Sequence, residues 1–532
     1  MSCLYAQNLS VSFSDGQILF SGINLSLNQP VTALVGDNGN GKSLLAKILA
    51  GQDPGPGCTF SGTVTPCTSV NYSPQITSES FSDSTQTISD FLEYSEKLEA
   101  LARITLGNAA HADFDLVGDD WMLEEELKEQ LKLMALPEDY RQRCSVLSGG
   151  QLARLQIFKV FRSAKGLLIL DEPSNHLDAP GRQWLLKQIT SFKGNILLVS
   201  HDRHLLQHVD EILELKRGIL SVYGGNYDYF AEQVLFNETA RHRKLEHAIK
   251  TKKILTLQHQ KSESKAATRA KQGKKTAYSG SQAPILMGAM KRAAQVSSGA
   301  KKAGFEKRRE EIDSKISELK AQSDMSKPLS FTLGKTDKRK SRVLDVIDLA
   351  LYHGSNSEQN KRISFSLDYG EKLRLTGANG CGKSSLLKVI AAIHQPRFGH
   401  VVCRCRVCYL DQHFSILELK ESAFVNLKRL CPNLGETELR TLLASMGLRG
   451  DKAFLSVEVL SGGERMKLAM VAVSHQSTDT LLLLDEPDNH LDLKSKKHLA
   501  ELLSSYTGSF ILVSHDTHFV TDSGITTELS MA

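Results

Sequence analysis

Four short motifs occur twice in this chain, in the same order, and no other feature limits the possible folds so much. The first copy runs GDNGNGKS at Gly36 to Ser43, LSGGQ at Leu147 to Gln151, LLILDEPSNHLD at Leu167 to Asp178 and SHD at Ser200 to Asp202. The second runs GANGCGKS at Gly377 to Ser384, LSGGE at Leu460 to Glu464, LLLLDEPDNHLD at Leu481 to Asp492 and SHD at Ser514 to Asp516. Ser148 precedes Glu172 by 24 residues and Ser461 precedes Glu486 by 25, and each glutamate precedes its histidine, His201 or His515, by 29. The back parts of the two units therefore share one architecture. The fronts differ, with 106 residues from Lys42 to Ser148 against 78 from Lys383 to Ser461, a surplus of 28 that falls mostly between Ser95 and Glu126.

The residues around these motifs predict an α/β fold. Val31 to Val35 is a short apolar run ending at a glycine loop, and Ser43 to Leu49 continues at helical spacing, which gives strand, loop and helix. Leu167 to Leu170 and Leu481 to Leu484 are unbroken aliphatic runs, as expected of strands buried on both faces of a mainly parallel sheet. At 532 residues the chain is too long for one hydrophobic core. The expected divisions are a first unit at 1–230, a linker at 231–330 and a second unit at 331–532.

In GDNGNGKS the glycines let backbone amides turn inward towards phosphate oxygens, and the helix that follows adds a favourable dipole. Lys42 and Lys383 supply positive charge to the β- and γ-phosphates of a nucleotide, and Ser43 and Ser384 place a hydroxyl on Mg²⁺. Asp171 and Asp485 are expected at the C-terminal ends of the buried strands, where open α/β sheets bind ligands, and are placed to act on that metal. In an extended chain the next side chain points the other way, so Glu172 and Glu486 are expected to polarise the attacking water.

These motifs resemble those of the ATP-binding cassette superfamily, and the resemblance covers both halves of the chain. It implies two cassettes in a head-to-tail sandwich, each phosphate loop facing the LSGGQ-type loop of the other. The ATP-binding residues implied are Gly36, Asn38, Gly39, Gly41, Lys42, Ser43 and Leu44, with Gly377, Asn379, Gly380, Gly382, Lys383, Ser384 and Ser385. The facing loops are Ser148, Gly149, Gly150 and Gln151, and Ser461, Gly462, Gly463 and Glu464. One composite site would then join Lys42, Asp171, Glu172 and His201 to Ser461 and Gly463, and the other Lys383, Asp485, Glu486 and His515 to Ser148 and Gly150. The resemblance further assigns Gln75 and Gln412 to the metal and water, His201 and His515 to the γ-phosphate, and Phe13 and Tyr352 to stacking on adenine. Unit two departs from unit one in Asp488 for Ser174, LSGGE for LSGGQ and SHDT for SHDR, so unequal turnover is expected with neither site dead.

The segment between the units has a different character. Residues 241–302 hold 16 Lys and Arg against only Glu246 and Glu263, a balance of +14 in a chain of net charge +5, which leaves −9 for the rest. Leu245, Ala248, Ile249 and Leu255 on one side and Phe305, Ile312, Ile316 and Leu319 on the other recur at helical spacing, which predicts two antiparallel helices. Charge so concentrated matches a phosphate-backbone binder, and the scarcity of aromatics points to backbone and shape recognition of RNA without base stacking. Tandem cassettes, YGGNYDYF at Tyr223 to Phe230, DEP-x-NHLD in both halves, the basic linker and its fragment APILMGAMKRAAQ together resemble the ABC-F family. That resemblance implies a ribosome-binding ATPase working near the tRNA exit site, on large-subunit rRNA and tRNA, as an intramolecular sandwich in a monomer. A long arm in the first cassette is reduced or absent, and little chain follows His515, which suggests a compact bacterial member. Translation factors and antibiotic-resistance proteins that protect the ribosome, or relieve stalled translation, both remain open.

No apolar run approaches the length of a membrane span and the start carries no leader pattern, so a cytoplasmic location is expected. Nine scattered cysteines fit free thiols in a reducing compartment, and VVCRCRVCYL, with Cys403, Cys405 and Cys408, reads as a strand in preference to a metal site. The competing functions are the ATPase subunit of a transporter with a separate membrane part, a DNA-maintenance ATPase, and a scaffold that binds ATP without turnover.

Overall fold

The structure is a computed structural model that describes residues 3–14, 16–55, 57–75, 85–175, 177–278, 302–319, 341–351, 362–411, 414–475, 480–489 and 491–531. Two compact units emerge, one of Met1–Tyr227 with Pro328–Ala532 and one of Asp228–Lys327.

The first unit holds both motif-bearing halves, and the repeat persists in the topology. The strands of the first half are β1 (Leu4–Phe13), β2 (Ile18–Leu27), β3 (Val31–Val35), β4 (Cys58–Pro66), β5 (Val70–Ser73), β6 (Leu167–Asp171), β7 (Asn195–Val199), β8 (Glu211–Lys216) and β9 (Ile219–Gly224). Those of the second are β10 (Arg342–Ala350), β11 (Ile363–Asp368), β12 (Lys372–Thr376), β13 (Phe398–Cys403), β14 (Arg406–Leu410), β15 (Thr480–Asp485), β16 (Phe510–Val513) and β17 (Thr527–Ser530). The central sheets run β5-β6-β7-β3-β8-β9 and β14-β15-β16-β12-β17, so the first five places correspond, and β9 is an antiparallel addition. Antiparallel sheets β2-β1-β4 and β11-β10-β13 complete the halves. Every residue of β6 and β15 is buried, as the aliphatic runs require.

The parallel order β5-β6-β7-β3 brings four C-terminal strand ends into one row. Gln75 follows β5, Asp171 ends β6, His201 follows β7 and the phosphate loop follows β3, which is why motifs scattered over more than 160 residues converge. The surplus of the first half folds as helices Ser95–Thr105, His111–Val117 and Leu123–Leu133, whose Leu98, Leu101, Val117, Leu127 and Leu131 share a core. Among the described residues, the matching stretch of the second half has the α-helices Ala423–Leu430 and Glu436–Ser445. VVCRCRVCYL is not one strand. β13 ends at Cys403 and β14 starts at Arg406, and the two belong to different sheets, with Cys408 buried in β14.

In the second unit, a 52-residue helix (Tyr227–Tyr278) is followed by a helix over 302–319. Leu245 and Ala248 pack with Ile312, Ile316 and Leu319. Lys252 pairs with Asp313 at 2.5 Å, and His259 stacks on Phe305 with ring centroids 3.8 Å apart. Partners fall in number on one helix as they rise on the other, so the pair is antiparallel. Leu245, Lys252 and His259 recur every seven residues, a coiled-coil stripe that leaves Ile249, expected in the contact, 46% exposed. The fragment APILMGAMKRAAQ lies outside the described residues. Among those described, no helix is long and apolar enough to cross a membrane.

Candidate ATP sites

Each phosphate loop is built around left-handed glycines. Gly41 (φ 87°) and Gly382 (φ 99°) cap the helices Lys42–Leu49 and Lys383–Ile390 without any side-chain hydrogen bond, which leaves the first helical amides, including those of Leu44 and Ser385, open to an anion. At Gly36 a Cβ would lie 2.2 Å from the Leu215 carbonyl oxygen, so only glycine lets the loop leave β3 there. Lys42 Nζ donates to the Gly36 and Asp37 carbonyls at 2.9 and 3.3 Å, and Lys383 Nζ to those of Gly377 and Ala378 at 2.8 and 3.0 Å. Burial lowers the Lys42 pKa against the pull of Glu172, Asp492, Asp37 and Asp171.

Ser43 Oγ and Ser384 Oγ each donate to Oδ1 of their aspartate, Asp171 or Asp485, at 3.1 Å. A hydroxyl beside a carboxylate is a hard oxygen set of the kind Mg²⁺ takes. The other carboxylate oxygens accept from Tyr72 at 3.2 Å and from Tyr409 at 2.9 Å.

Glu172 and Glu486 do not continue their strands. Both adopt left-handed backbone, φ 50° and 49°, at a cost of about 1–3 kcal/mol each, and their amides donate to Val199 and Val513 at 2.8 and 2.9 Å. The extended geometry expected at these positions is therefore replaced by a turn, which is what separates each glutamate from the adjacent aspartate. Burial pushes both carboxyls up to about 7, with Asp171 adding to the effect at Glu172 and Asp485 and Asp488 at Glu486. His201 Nε2 and His515 Nε2 stand 3.6 Å from Oε1 of these glutamates. Burial, helped by Lys42 and Lys496, takes His201 well below the ordinary histidine value, and burial with Lys383 and Arg182 takes His515 to about 4, so both rings are neutral at pH 7. Neither ring nitrogen of His201 has a hydrogen-bond partner among the described residues.

A cavity of about 500 Å³ lies on the first loop, lined on its own side by Phe13, Asn38, Gly39, Gly41, Lys42, Ser43, Leu44, Gln75, Glu172 and His201. Phe13 reaches this cavity from the end of β1. The opposite wall is Asp488, Asn489, Leu491 and Lys496 of the second cassette. Ser461 and Gly463, expected there, are not in the lining. Ser461 caps its own helix, accepting from the Glu464 amide at 3.3 Å and donating to its carboxylate at 2.8 Å, and Ser148 and Gln151 form the same box in the first half. Each phosphate loop is reached from the other cassette by the last aspartate of NHLD. Asp492 Oδ2 accepts from the Asn38 amide at 3.0 Å while Oδ1 accepts from Ser495 N at 2.8 Å. Asp178 Oδ2 accepts from the Asn379 amide at 3.3 Å while Oδ1 accepts from Gly181 N at 3.0 Å. Each aspartate thus caps its own helix with one oxygen and holds the other cassette's phosphate loop with the second. Tyr352 and Gln412 lie outside the described residues.

A family model described as ABC transporter matches residues 20–175 and 360–489. A putative ATP-binding protein, YdiF of Bacillus subtilis, is 30% identical over 98% of this chain and 78% of its own length. ATP-binding protein Uup of Escherichia coli is 27% identical over 98% of this chain and 79% of its own. The chain belongs to the ATP-binding cassette family, in its ABC-F branch. As an ABC-F protein it binds and hydrolyses ATP. Its fold is also that of a solved structure of RNase-L Inhibitor, at 17% identity and TM-score 0.55 over 95% of this chain and 85% of that one. The solved complex of archaeal ribosomal stalk protein aP1 and archaeal ribosome recycling factor aABCE1 shares it too, at 18% identity and TM-score 0.53 over 98% and 87%.

Within this ABC-F chain, several residues at the sites escape a reading of the motifs alone. Tyr72 and Tyr409 stand three residues before Gln75 and Gln412, a matched spacing that is present in the sequence. Asp178 and Asp492 are visible as letters of a motif, but their cross-cassette bonds join residues 201 and 454 positions apart.

Proposed function

We propose that this ABC-F protein is a translation factor: ATP draws its cassettes together, the closed form engages ribosomal and transfer RNA through the basic helical pair, and hydrolysis releases it. The observation that carries this reading is the pairing of two reciprocal ATP sites with a single +14 segment in an otherwise acidic chain. Charge of that density gives RNA affinity through the phosphate backbone. One of the fold neighbours is a ribosome recycling factor, which agrees with a ribosomal role.

We assign the roles at each site as follows. Amides of Gly36 to Leu44 and of Gly377 to Ser385 take the phosphates, and Lys42 and Lys383 turn from loop carbonyls to phosphate oxygens. Ser43 with Asp171 and Gln75, and Ser384 with Asp485 and Gln412, would hold Mg²⁺, which supplies positive charge to the β- and γ-phosphates when bound. Tyr72 and Tyr409 fix the carboxylates. Glu172 and Glu486, poised near neutrality, orient the water and take its proton. His201 and His515, neutral, steady the γ-phosphate by hydrogen bonding. Phe13 and Tyr352 stack on adenine, and Ser148 to Gln151 and Ser461 to Glu464 meet the nucleotide only on tighter closure.

The test is ribosome sedimentation of E172Q/E486Q. In ATP this variant is expected to travel with ribosomes and in ADP to stay free; a variant free of ribosomes in both would refute the reading. Co-purification with an integral membrane protein, or stronger stimulation of hydrolysis by DNA than by ribosomes, would favour the transporter or DNA alternatives.

A further inference from the structure

A buried group of charges lines the side of the first-site cavity where the two cassettes meet, outside the phosphate loops and the catalytic glutamates. Arg182, Asp202 and Ser174 of the first cassette occupy the places of Lys496, Asp516 and Asp488 of the second, each 314 residues later. Arg182 pairs with Asp202 at 3.1 Å and Lys496 with Asp516 at 3.1 Å. These aspartates immediately follow His201 and His515, so each cation is tied to the histidine turn of its own cassette. Lys496 also crosses the boundary, where its Nζ reaches the main-chain oxygen of His201 at 3.5 Å. One ammonium group therefore touches the histidine turns of both sites.

The second cassette adds a carboxylate that the first lacks. Asp488 is 1% exposed, stands where Ser174 is found in the first half, and its Oδ1 has no hydrogen-bond partner among the described residues. Burial opposes the charge of Lys496, yet Asp516, Asp488 and Asp202 together hold its pKa above the ordinary lysine value. Burial raises the Asp488 pKa, while Lys496 and Arg182 pull it down. Leaving either partner alone in such a place is costly, so the cations and carboxylates are constrained to move together.

We propose that Lys496 is a positioning residue that couples the two ATP sites, joining the backbone of His201 in one cassette to Asp516, beside His515, in the other. When nucleotide at the second site draws the His515 turn towards the γ-phosphate, Asp516 carries Lys496 with it, and Lys496 sets the carbonyl that fixes the His201 turn. The proposal rests on ATP hydrolysis by both cassettes and does not depend on the ribosome.

The experiment reads turnover at the first site with the second filled or emptied. E486Q holds ATP at the second site without cleaving it, and E486Q/K383A empties that site. With Lys496 present, emptying lowers first-site turnover on the order of tenfold, a usual size for coupling between sites. K496M brings the ratio of the two turnovers to within about twofold, inside the scatter of independent sites, and K496R, which copies Arg182, restores it. A lysine that only stabilised the fold would slow both backgrounds alike and leave the ratio as it was, and that result overturns the proposal. D488S, which copies Ser174 and keeps the lysine, decides the matter if K496M does not fold: a ratio reduced at least about threefold supports the coupling, and an unchanged ratio overturns it. A first site with no turnover in E486Q would instead count against its assignment as an active ATP site.

Discussion

The two ATP sites use the same clasp but not the same surroundings. Asp37 in the first phosphate loop forms an ion pair with Lys494 of the second cassette at 3.2 Å. At the other site the corresponding residues are Ala378 and Pro180, which can form no such pair. In compensation, the aspartate that holds the second loop is the more firmly anchored, because Asp178 also pairs with buried Arg154. Duplicated motifs thus preserve the chemistry of each site, while residues between the motifs divide the work of closure unequally.

The largest expected effect concerns the glutamates. E172Q/E486Q should lose turnover at least about a hundredfold, the usual contribution of a positioned general base, as read by phosphate release. Of the single variants, E172Q should remove the larger share, since the first site has the extra tie; equal losses would erase the asymmetry. Next comes stability. D178A strands Arg154 and should cost about 3–5 kcal/mol in denaturant unfolding. D492A loses chiefly a helix cap and should cost about 1 kcal/mol. The reverse order would show that the anchoring has been assigned to the wrong half.

A smaller effect appears in acid. Burial raises the Asp516 carboxyl, but Lys496 and the Phe519 amide outweigh it and hold the group at about 2, below its ordinary 3.8. Because the folded value is depressed, the stability it contributes is complete above the ordinary value and disappears as pH falls from about 4 to about 2. D516N should therefore show a flatter loss of stability across that window in acid unfolding, and an unchanged slope would remove Asp516 from the charge group. The smallest effect belongs to Lys494. Its pair with Asp37 is about one-third exposed. K494A should weaken ATP at the first site by less than about fivefold, since exposed pairs are worth at most about 1 kcal/mol. The difference should vanish near 1 M salt, where screening reaches within about 3 Å.

Much of this arrangement is legible in the residues. The glycine loops, the aliphatic strands ending in aspartate and the histidines at constant spacing all carry their chemistry in local order, so the central sheets and most site residues can be read directly. What cannot be read depends on backbone turns and on distant partners. Nothing in the letters DE says that Glu172 and Glu486 turn left-handed, because the carbonyls that hold them, of Val199 and Val513, lie 27 residues further on. That the Ser461 hydroxyl also caps its own helix is a second bond the motif does not announce, a local one with no entropic cost of closing a long loop. The alternation in VVCRCRVCYL conceals a change of sheet at Arg404, because strand periodicity looks the same on either side of a turn.

The crossed clasp is tested most directly by ATP titration of D492A and D178A, each at one site at a time, with K383A or K42A silencing the other. D492A is expected to weaken binding at the first cassette's phosphate loop, and D178A at the second's, by on the order of tenfold, as for a lost hydrogen bond to a charged group. If each substitution instead weakened the loop of its own cassette and spared the opposite one, the cassettes would not complete each other's sites.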